Sequence, residues 1–239
     1  VGAWPISSER LLAYGLKAAR EAAESTGWQH PDLEFEKAIE SLANAANGDA
    51  RAILEGFVAE IVDHGRVNSL SAKLLQLAAP GVPDVYQGTE LWDHSLVDPD
   101  NRRPVDFAER SAMLRRLDED VARGVLPPVD DSGLAKMLVT SRSLRLRRDN
   151  RELFYRYRPG GVAGEASDHA VAMDRGGVLA VATRLPAGLA RRGGWGDTVL
   201  LRRELPATDA ITGRRFDRGS IRLADLLDTY PVALLVDER

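Results

Sequence analysis

The hydrophobic pattern of this 239-residue chain changes near Phe154, and that change limits the folds open to it. Before Phe154, apolar residues recur three or four positions apart, which is the spacing of one face of an α-helix. After Phe154, short apolar segments alternate with turns rich in Gly, Pro and Asp, which favours antiparallel strands. The hydrophobic content of 44% is sufficient for a packed core. We therefore predict an α+β chain, with a helical part followed by an antiparallel β-sandwich.

Capping and breaking residues divide the helical part. Asp32 and Asp106 each precede a helical pattern and can accept a hydrogen bond at a helix N-terminus. Gly48 and Pro80-Gly81 can end helices. The predicted helices run from Ser7 or Ser8 to Thr26, from Pro31 to Gly48, from about Asp49 to Asp63, through Leu70 to Leu77, from Asp106 to about Arg123, and from about Leu134 to Arg148.

A single strand is predicted in this helical part, at Val82–Gln87. The segment is short and apolar and is bounded by Gly and Pro, which suits a buried parallel strand. A helix, a buried strand and then a polar loop is the order found in an α/β barrel, whose functional face lies at the carboxyl ends of its strands. One strand cannot close a barrel, so the prediction requires strands that this chain does not contain.

The last part of the chain contains several short strand candidates. They are Ala170–Met173, Val178–Ala182, Thr198–Leu201, Ala210–Thr212, Ser220–Leu223 and Val232–Leu235. Pro159–Ser167 and Pro186–Gly196 are predicted to be exposed loops. Short strands with regular turn signals are typical of a β-sandwich.

The loop that follows the predicted strand is dense in hydrogen-bonding side chains, and loops of this kind are where binding and catalysis concentrate. Sugars present many hydroxyls and apolar ring faces, so planar polar groups beside aromatic rings suit them. Trp92 is equally suited to stacking on a sugar ring and to core packing. The candidate binding or site-supporting residues are Tyr86, Gln87, Glu90, Trp92, Asp98, Asp100, Asn101, Arg102 and Arg103.

Paired carboxylates are the first requirement of a retaining glycosidase, which needs two of them about 5 Å apart. On spacing alone, Glu90 with Asp93, or Asp98 with Asp100, meets this requirement. The competing interpretation is that these acids hold the loop by ion pairs to the arginines that follow. We favour that second interpretation.

Composition excludes several classes of function. The net charge is -4 and no basic block is present, so neither nucleic acid nor a membrane surface is predicted as a partner. No apolar run reaches the roughly 18 residues that span a bilayer.

The absence of cysteine fits a cytoplasmic protein. No cofactor or metal site is predicted, because His94 beside Asp93 lacks a second His at ligand spacing. The start, Val1-Gly2-Ala3-Trp4-Pro5, has no signal-peptide pattern, and we expect Val1 to lie inside a longer chain.

One run of the loop carries a family resemblance. Gly81-Val82-Pro83-Asp84-Val85-Tyr86-Gln87-Gly88-Thr89-Glu90 resembles the eighth-strand motif of the α-amylase clan of glycoside hydrolases. Its extension from Leu91 to Phe107 resembles the maltooligosyl trehalose synthase family. Gly2-Ala3-Trp4-Pro5, Leu144–Arg148 and Pro231–Leu235 are similar to the C-terminal part of the same family. The resemblance therefore covers nearly the whole chain.

The resemblance implies a particular reaction. In this family the reducing-end α-1,4 linkage of a maltooligosaccharide becomes an α,α-1,1 linkage by intramolecular transglycosylation. The implied mechanism is retaining, with an Asp nucleophile, a Glu acid/base and a further Asp. In the family these three carboxylates lie on barrel strands before the eighth. The resemblance therefore implies that this chain contains no catalytic residue, that it is inactive alone, and that the loop residues bind substrate or support the site.

The resemblance also implies an organisation and a set of partners. Residues 1–125 would be the last part of a barrel domain with a helical insertion, 126–153 a linker and helix, and 154–239 the sandwich. The partners would be a maltooligosaccharide, the missing N-terminal part of the enzyme, and a second copy through the exposed barrel surface.

Three alternatives remain open, one of which is that the missing N-terminal part exists as a separate chain and completes the site on association. Another α-amylase-clan enzyme, of the amylase or amylosucrase type, would share the motif Gly81–Glu90 but not the run to Phe107. A stand-alone carbohydrate-binding or interaction module would fold and act without the rest of an enzyme. Carbohydrate titration of the isolated chain separates such a module from an inert segment.

Overall fold

The computed structural model describes residues 1–202 and 205–238. The chain divides into a first unit, Val1–Val62 with Asp93–Val105, and a second unit, Asp63–Trp92 with Asp106–Arg239. The helices are α1 (Ser8–Ala22), α2 (Leu33–Asn47), α3 (Arg51–Ala78), α4 (Phe107–Ala122), α5 (Leu134–Asp149), α6 (Pro186–Arg191) and α7 (Leu223–Leu226). The strands are β1 (Phe154–Pro159), β2 (Gly161–Ala163), β3 (Ala170–Gly176), β4 (Val178–Thr183), β5 (Val199–Leu201), β6 (Ala207–Asp209), β7 (Arg215–Phe216), β8 (Ile221–Arg222) and β9 (Val232–Asp237).

The predicted helix starts are confirmed by their caps. The Ser7 hydroxyl accepts a hydrogen bond from the Arg10 amide at 3.3 Å. Asp32 accepts from the amides of the second and third residues of α2 at 3.0 Å. Asp106 accepts from the Glu109 amide at 2.8 Å. Each cap satisfies amide groups that have no carbonyl partner inside the helix.

The separate helices predicted at Asp49–Asp63 and around Leu70–Leu77 are wrong, because α3 is one continuous helix. The connecting residues include no Pro, and their only Gly is Gly65. A single Gly in a helix interior costs only about 1 kcal/mol, which does not stop a helix that is stabilised by packing.

The first unit is built on a small apolar core beneath α1 and the start of α3. Its buried residues are Ala3, Trp4 and Ile6. Partly buried Leu11, Leu54, Val58 and Leu96 pack against them. Leu54 and Val58 are four positions apart on one face of α3, and Leu96 brings the polar loop onto the same core.

The second unit contains two antiparallel sheets. One has six strands in the order β1-β3-β4-β9-β6-β7, and the other has three in the order β2-β5-β8. Val181 and Ala233, from the larger sheet, share one buried cluster with Leu200 and Ile221, from the smaller sheet. The opposite face of the larger sheet packs against buried residues of α3, α4 and α5. The prediction of antiparallel sheet in this part of the chain is confirmed.

The prediction of a buried strand at Val82–Gln87 is wrong. This segment pairs with none of the described strands, and Val82 is 97% exposed. A strand requires a neighbour for its amide and carbonyl groups. Here the carbonyl of Asp84 instead accepts a hydrogen bond from the Gln76 amide nitrogen at 2.5 Å. The incomplete barrel therefore remains a prediction about a longer protein.

Several strand boundaries also differ from prediction. Ala210–Thr212 forms a turn, because Asp209 at the end of β6 accepts hydrogen bonds from the amides of Ile211 and Thr212. The two predicted loops contain β2 and α6. Such short edge elements have too few residues for a periodic signal.

Candidate functional site

The turn Tyr86–Glu90 lies in the second unit and is held by side chains from two helices. The Thr89 amide and hydroxyl both donate to the Tyr86 carbonyl, at 3.0 and 2.7 Å. Lys73 on α3 donates to Gln76 at 2.8 Å and approaches the Thr89 hydroxyl at 3.4 Å. The turn is therefore fixed from beneath by a buried lysine.

Glu90 closes the other side of this turn through α4. Its carboxylate lies 3.0 Å from Arg110, which also donates to the Gly88 carbonyl at 3.3 Å. Desolvation lowers the pKa of the Lys73 ammonium, while the nearby carboxylates of Glu90 and Asp84 partly oppose that change. Glu90 is thus an ion-pair partner that holds the loop.

Tyr86 and Gln87 differ from Glu90 because their side chains are free. Tyr86 is exposed and Gln87 is half-buried. Neither side chain has a hydrogen-bond partner among the described residues. A phenol and an amide that are held on a fixed turn are available to bind hydroxyl groups of a ligand.

Trp92 is partly buried and packs against the core of the second unit. Its indole N–H donates to the Asp130 carbonyl at 2.7 Å. The Lys136 ammonium lies 5.6 Å from the ring centroid and donates to the Leu91 carbonyl at 2.9 Å. These contacts fit packing of Trp92 against the core and not stacking on a sugar ring.

Asp100 organises the part of the loop that lies in the first unit. Arg10 on α1 donates to both Asp100 carboxylate oxygens at 2.7 Å. The Leu96 amide donates to the same carboxylate at 2.6 Å. The hydrogen bonds from Arg10, opposed in part by desolvation, lower the pKa of Asp100 to about 2. A general acid requires a raised pKa, so Asp100 is suited to holding the loop and not to donating a proton.

The neighbouring arginines complete this arrangement. Arg102 lies 2.5 Å from the Asp98 carboxylate. Arg103 donates to the Asp100 carbonyl at 3.0 Å and to the Ser95 hydroxyl at 2.8 Å. Lys17 on α1 donates to the Asp98 carbonyl. These contacts agree with the interpretation in which the acids and arginines hold the loop.

Asn101 differs from these residues because it has no ion pair, although Asp98 Oδ1 likewise has no hydrogen bond from a described residue. The Asn101 side-chain oxygen is buried and accepts no hydrogen bond from any residue that the structure describes. A buried carbonyl oxygen without a donor is costly, so this oxygen needs a partner that the described residues do not supply. The sequence places Asn101 among nine candidates without distinguishing it.

Four residues that hold the site were missed from the sequence. Arg10, Lys17, Lys73 and Arg110 contact the loop from helices that lie 16 to 90 positions away in the chain. No local pattern identifies a partner at such separations. The sequence does show that these four basic residues lie in predicted helices. That placement is the one signal that could have suggested them as partners of the acidic loop.

No protein-family model matches the chain. A protein of Mycobacterium tuberculosis named as a maltooligosyl trehalose synthase is 41% identical over 98% of this chain and 30% of its own length. The chain is similar throughout to a part of the maltooligosyl trehalose synthases. The solved structure of maltooligosyltrehalose synthase from Arthrobacter ramosus matches at 55% identity with a TM-score of 0.93. That match covers 99% of this chain and 31% of the synthase.

A more distant structure agrees with this similarity. A hypothetical maltooligosyl trehalose synthase from Sulfolobus tokodaii matches at 29% identity and a TM-score of 0.70, over 96% of this chain and 29% of its own. The chain thus spans about 30% of the length of these synthases. None of the described helices combines the length and apolar character that a bilayer crossing requires. Within the described residues, no group of three or more His, Asp or Glu side chains is arranged to hold a metal ion.

Proposed function

We propose that this chain is the C-terminal segment of a cytoplasmic enzyme that converts the reducing-end α-1,4 linkage of maltooligosaccharides into an α,α-1,1 linkage. The observation that supports this most is the 55% identity to a maltooligosyltrehalose synthase across 99% of the chain. The partial coverage of that synthase is consistent with a C-terminal part. On the family pattern, the catalytic carboxylates belong to the part that precedes this chain.

Tyr86 and Gln87, in the second unit, are the residues that we assign to sugar hydroxyls, because their polar groups have no partner among the described residues. Asn101, in the first unit, is a separate candidate, because its side-chain oxygen accepts no hydrogen bond from a described residue. The ion-paired residues Glu90, Asp98, Asp100, Arg102 and Arg103 hold the loop in position. Trp92 supports the loop through the core.

An apolar stripe on α3 supports the need for the rest of the enzyme. Ile53, Phe57 and Ile61 lie four positions apart on one helix face and are 76%, 49% and 36% exposed. Leu54 and Val58, on another face, already pack in the core of the first unit. A helix with two apolar faces normally packs between two layers. We assign the missing N-terminal part of the synthase as the layer that covers this stripe. When that part is absent, a second copy of the chain would bind to the same stripe.

The organisation of the intact protein follows the family pattern in this proposal. Residues 1–125 belong to the barrel domain and its helical insertion, 126–153 to a linker and helix, and 154–239 to the sandwich domain. The sandwich contributes stability and no catalytic group.

A chimeric enzyme tests the proposed function. This chain replaces the matching segment of the Arthrobacter ramosus synthase, and loss of reducing ends from maltopentaose is measured together with glucose release. We expect the chimera to lower the number of reducing ends while releasing much less glucose than the number of reducing ends lost. This chain alone should neither lower the number of reducing ends nor release glucose. The activity should fall when Gln87 is replaced by Ala, mainly through a raised KM.

The control for this test is Arg148→Met, because Arg148 pairs with its exposed neighbour Asp149 far from the loop in sequence. It should leave the activity of the chimera unchanged. A chimera that folds with native circular dichroism but leaves all reducing ends intact would show that the proposed function is wrong.

A further inference from the structure

The loop between α1 and α2 presents an exposed tryptophan. Trp28 is 61% exposed. The other tryptophans, Trp4, Trp92 and Trp195, are buried or half-buried. An indole presents an apolar ring face and an N–H donor, so an exposed Trp can contact a ligand that has both apolar and polar surfaces.

A partly buried ion pair anchors this loop. Arg20 on α1 donates to both carboxylate oxygens of Glu36 on α2, at 2.8 and 2.7 Å. The Thr26 hydroxyl donates to Glu36 at 2.8 Å and accepts from the Asp32 amide at 3.0 Å. Both Thr26 and Glu36 are buried. The loop is therefore rigid at its centre although its outer residues face water.

The same arginine fixes the ring of Trp28. The Arg20 guanidinium carbon lies 5.1 Å from the ring centroid, within the range of a cation–π contact. The indole nitrogen has no partner among the described residues. One side of the ring is thus supported by a positioned charge, and the remaining ring surface and the N–H are available to a ligand.

The surroundings of Trp28 are polar. It lines an open groove of about 660 Å³, and its neighbours there include Glu21, Glu24, Ser25, Gln29 and His30. They supply carboxylate, hydroxyl, amide and imidazole groups around a single aromatic surface. A ligand that fits this combination has many hydroxyl groups and an apolar ring face.

A second protein surface is a poorer match for this groove. The apolar stripe on α3 has aliphatic residues and a phenyl ring in a row, as an interface core requires. Trp28 stands alone among polar groups. The contrast within one unit favours a sugar at Trp28 and a protein layer at the stripe.

We propose that Trp28 and the polar side chains of the loop Ala23–His30 form a binding site for α-1,4-linked glucose units. The ring of Trp28 stacks on the apolar face of one glucose unit, and Glu24, Gln29 and His30 bind its hydroxyls. The choice of α-1,4-linked glucose rests on the proposed function. The presence of a sugar site rests on the geometry of the loop.

Titration of this chain with maltoheptaose tests the proposal. The chain is labelled with fluorotryptophan, and the fluorine resonance of each tryptophan is followed by NMR. We expect the fluorine resonance of Trp28 to shift as maltoheptaose is added. Iodide should also quench the fluorescence of Trp28 less when the site is saturated. Trp28→Ala should weaken binding by about tenfold or more, and Trp28→Tyr should restore part of it.

The matched control is Phe57→Ala, which removes an exposed aromatic ring from the same unit at the stripe. It should leave maltoheptaose affinity unchanged. A Trp28 resonance that does not respond to maltoheptaose would overturn the proposal, as would affinity that survives Trp28→Ala. An equal response to cellohexaose, whose linkages are β-1,4, would overturn the assignment of α-linked glucose.

The result can be separated from the proposed function. The chimera assay measures conversion of reducing ends by a whole enzyme. The titration measures sugar binding by this chain alone. An active chimera with a silent Trp28 resonance would refute the site alone. A responsive Trp28 in an inactive, folded chimera would support the site and refute the proposed function.

Discussion

Replacing Asp100 by Asn removes the charge that ties the polar loop of the first unit to α1. The Arg10 guanidinium and the Leu96 amide hold the pKa of Asp100 at about 2. Relative to an ordinary Asp, this corresponds to at most about 2.5 kcal/mol of folding free energy. Arg10 is partly exposed, and Asn still accepts from the Leu96 amide, so we expect Asp100→Asn to lower the free energy of unfolding by about 1–2 kcal/mol near neutral pH.

The effect should depend on pH in a defined direction. Because the folded-state pKa of Asp100 is below that of an unfolded chain, its contribution is fully present above about pH 5 and disappears as the pH falls towards 2. The difference between Asp100→Asn and the unchanged chain should therefore shrink over that range. Urea unfolding followed by the fluorine resonance of fluorotryptophan at Trp4 measures it, since Trp4 and Leu96 share the core of the first unit.

Asp98→Asn is the matched control for this prediction. Asp98 and its partner Arg102 are 47% and 68% exposed, so their ion pair should contribute less than about 0.5 kcal/mol. Equal destabilisation by Asp98→Asn and Asp100→Asn would refute the reasoning. A destabilisation by Asp100→Asn that is the same at pH 7 and near pH 2 would also refute it.

Three further substitutions test the second unit. Tyr230→Phe removes the hydroxyl that donates to the Pro127 carbonyl at 2.6 Å, and leaving that oxygen unpaired should lower the free energy of unfolding by about 1–3 kcal/mol in urea titrations. Asp209→Ala removes the acceptor of four hydrogen bonds, and thermal unfolding should reveal a loss of about 3 kcal/mol. Arg147→Met releases the carbonyls of Leu77 and Ala79, so hydrogen exchange at the end of α3 should become faster. Unchanged midpoints for the first two, or unchanged exchange for the third, would contradict these assignments.

Local signals predicted the helix starts because each start depends on one side chain in the same turn. Asp32 and Asp106 accept from amides two or three positions ahead, so the pattern that predicts the cap also contains its partner. The strands β4 and β9 were predicted for a related reason. Each is a short apolar run between turn residues, and the two pair along their length.

The position of the candidate site stays a prediction, and most contacts of its charged residues were not predicted from the sequence. The sequence pairs the acids with the nearest arginines, which is correct for Asp98 and Arg102. The stronger partner of Asp100 is Arg10, which lies 90 positions earlier. Similarly, Glu90 pairs with Arg110 on a later helix. Ion pairs formed by chain folding leave no local pattern, so composition can identify a charged loop without identifying its partners.

The strand at Val82–Gln87 failed for a different physical reason. Its sequence satisfies every local requirement of a buried strand, but a strand also requires a neighbour. Among the described residues no such neighbour exists for it, and the Asp84 carbonyl accepts a hydrogen bond from the Gln76 side chain of α3 instead. Trp28 was overlooked because an isolated Trp in a loop has the same local sequence whether it is buried or exposed. The folded structure distinguishes the two cases, because it leaves Trp28 61% exposed.

The dense polar loop contains two kinds of side chain. Asp100, Arg103 and Glu90 are engaged by partners within the chain, so their free energy of interaction goes into holding the backbone. Gln87 and Asn101 are held in place by that backbone and have unpaired polar groups. A ligand gains most binding free energy from groups that are both fixed in position and unpaired. Binding to such groups costs no conformational entropy to order them and breaks no existing hydrogen bond. Trp28 is similar in this respect, because its ring lies beside Arg20, which is itself paired with Glu36.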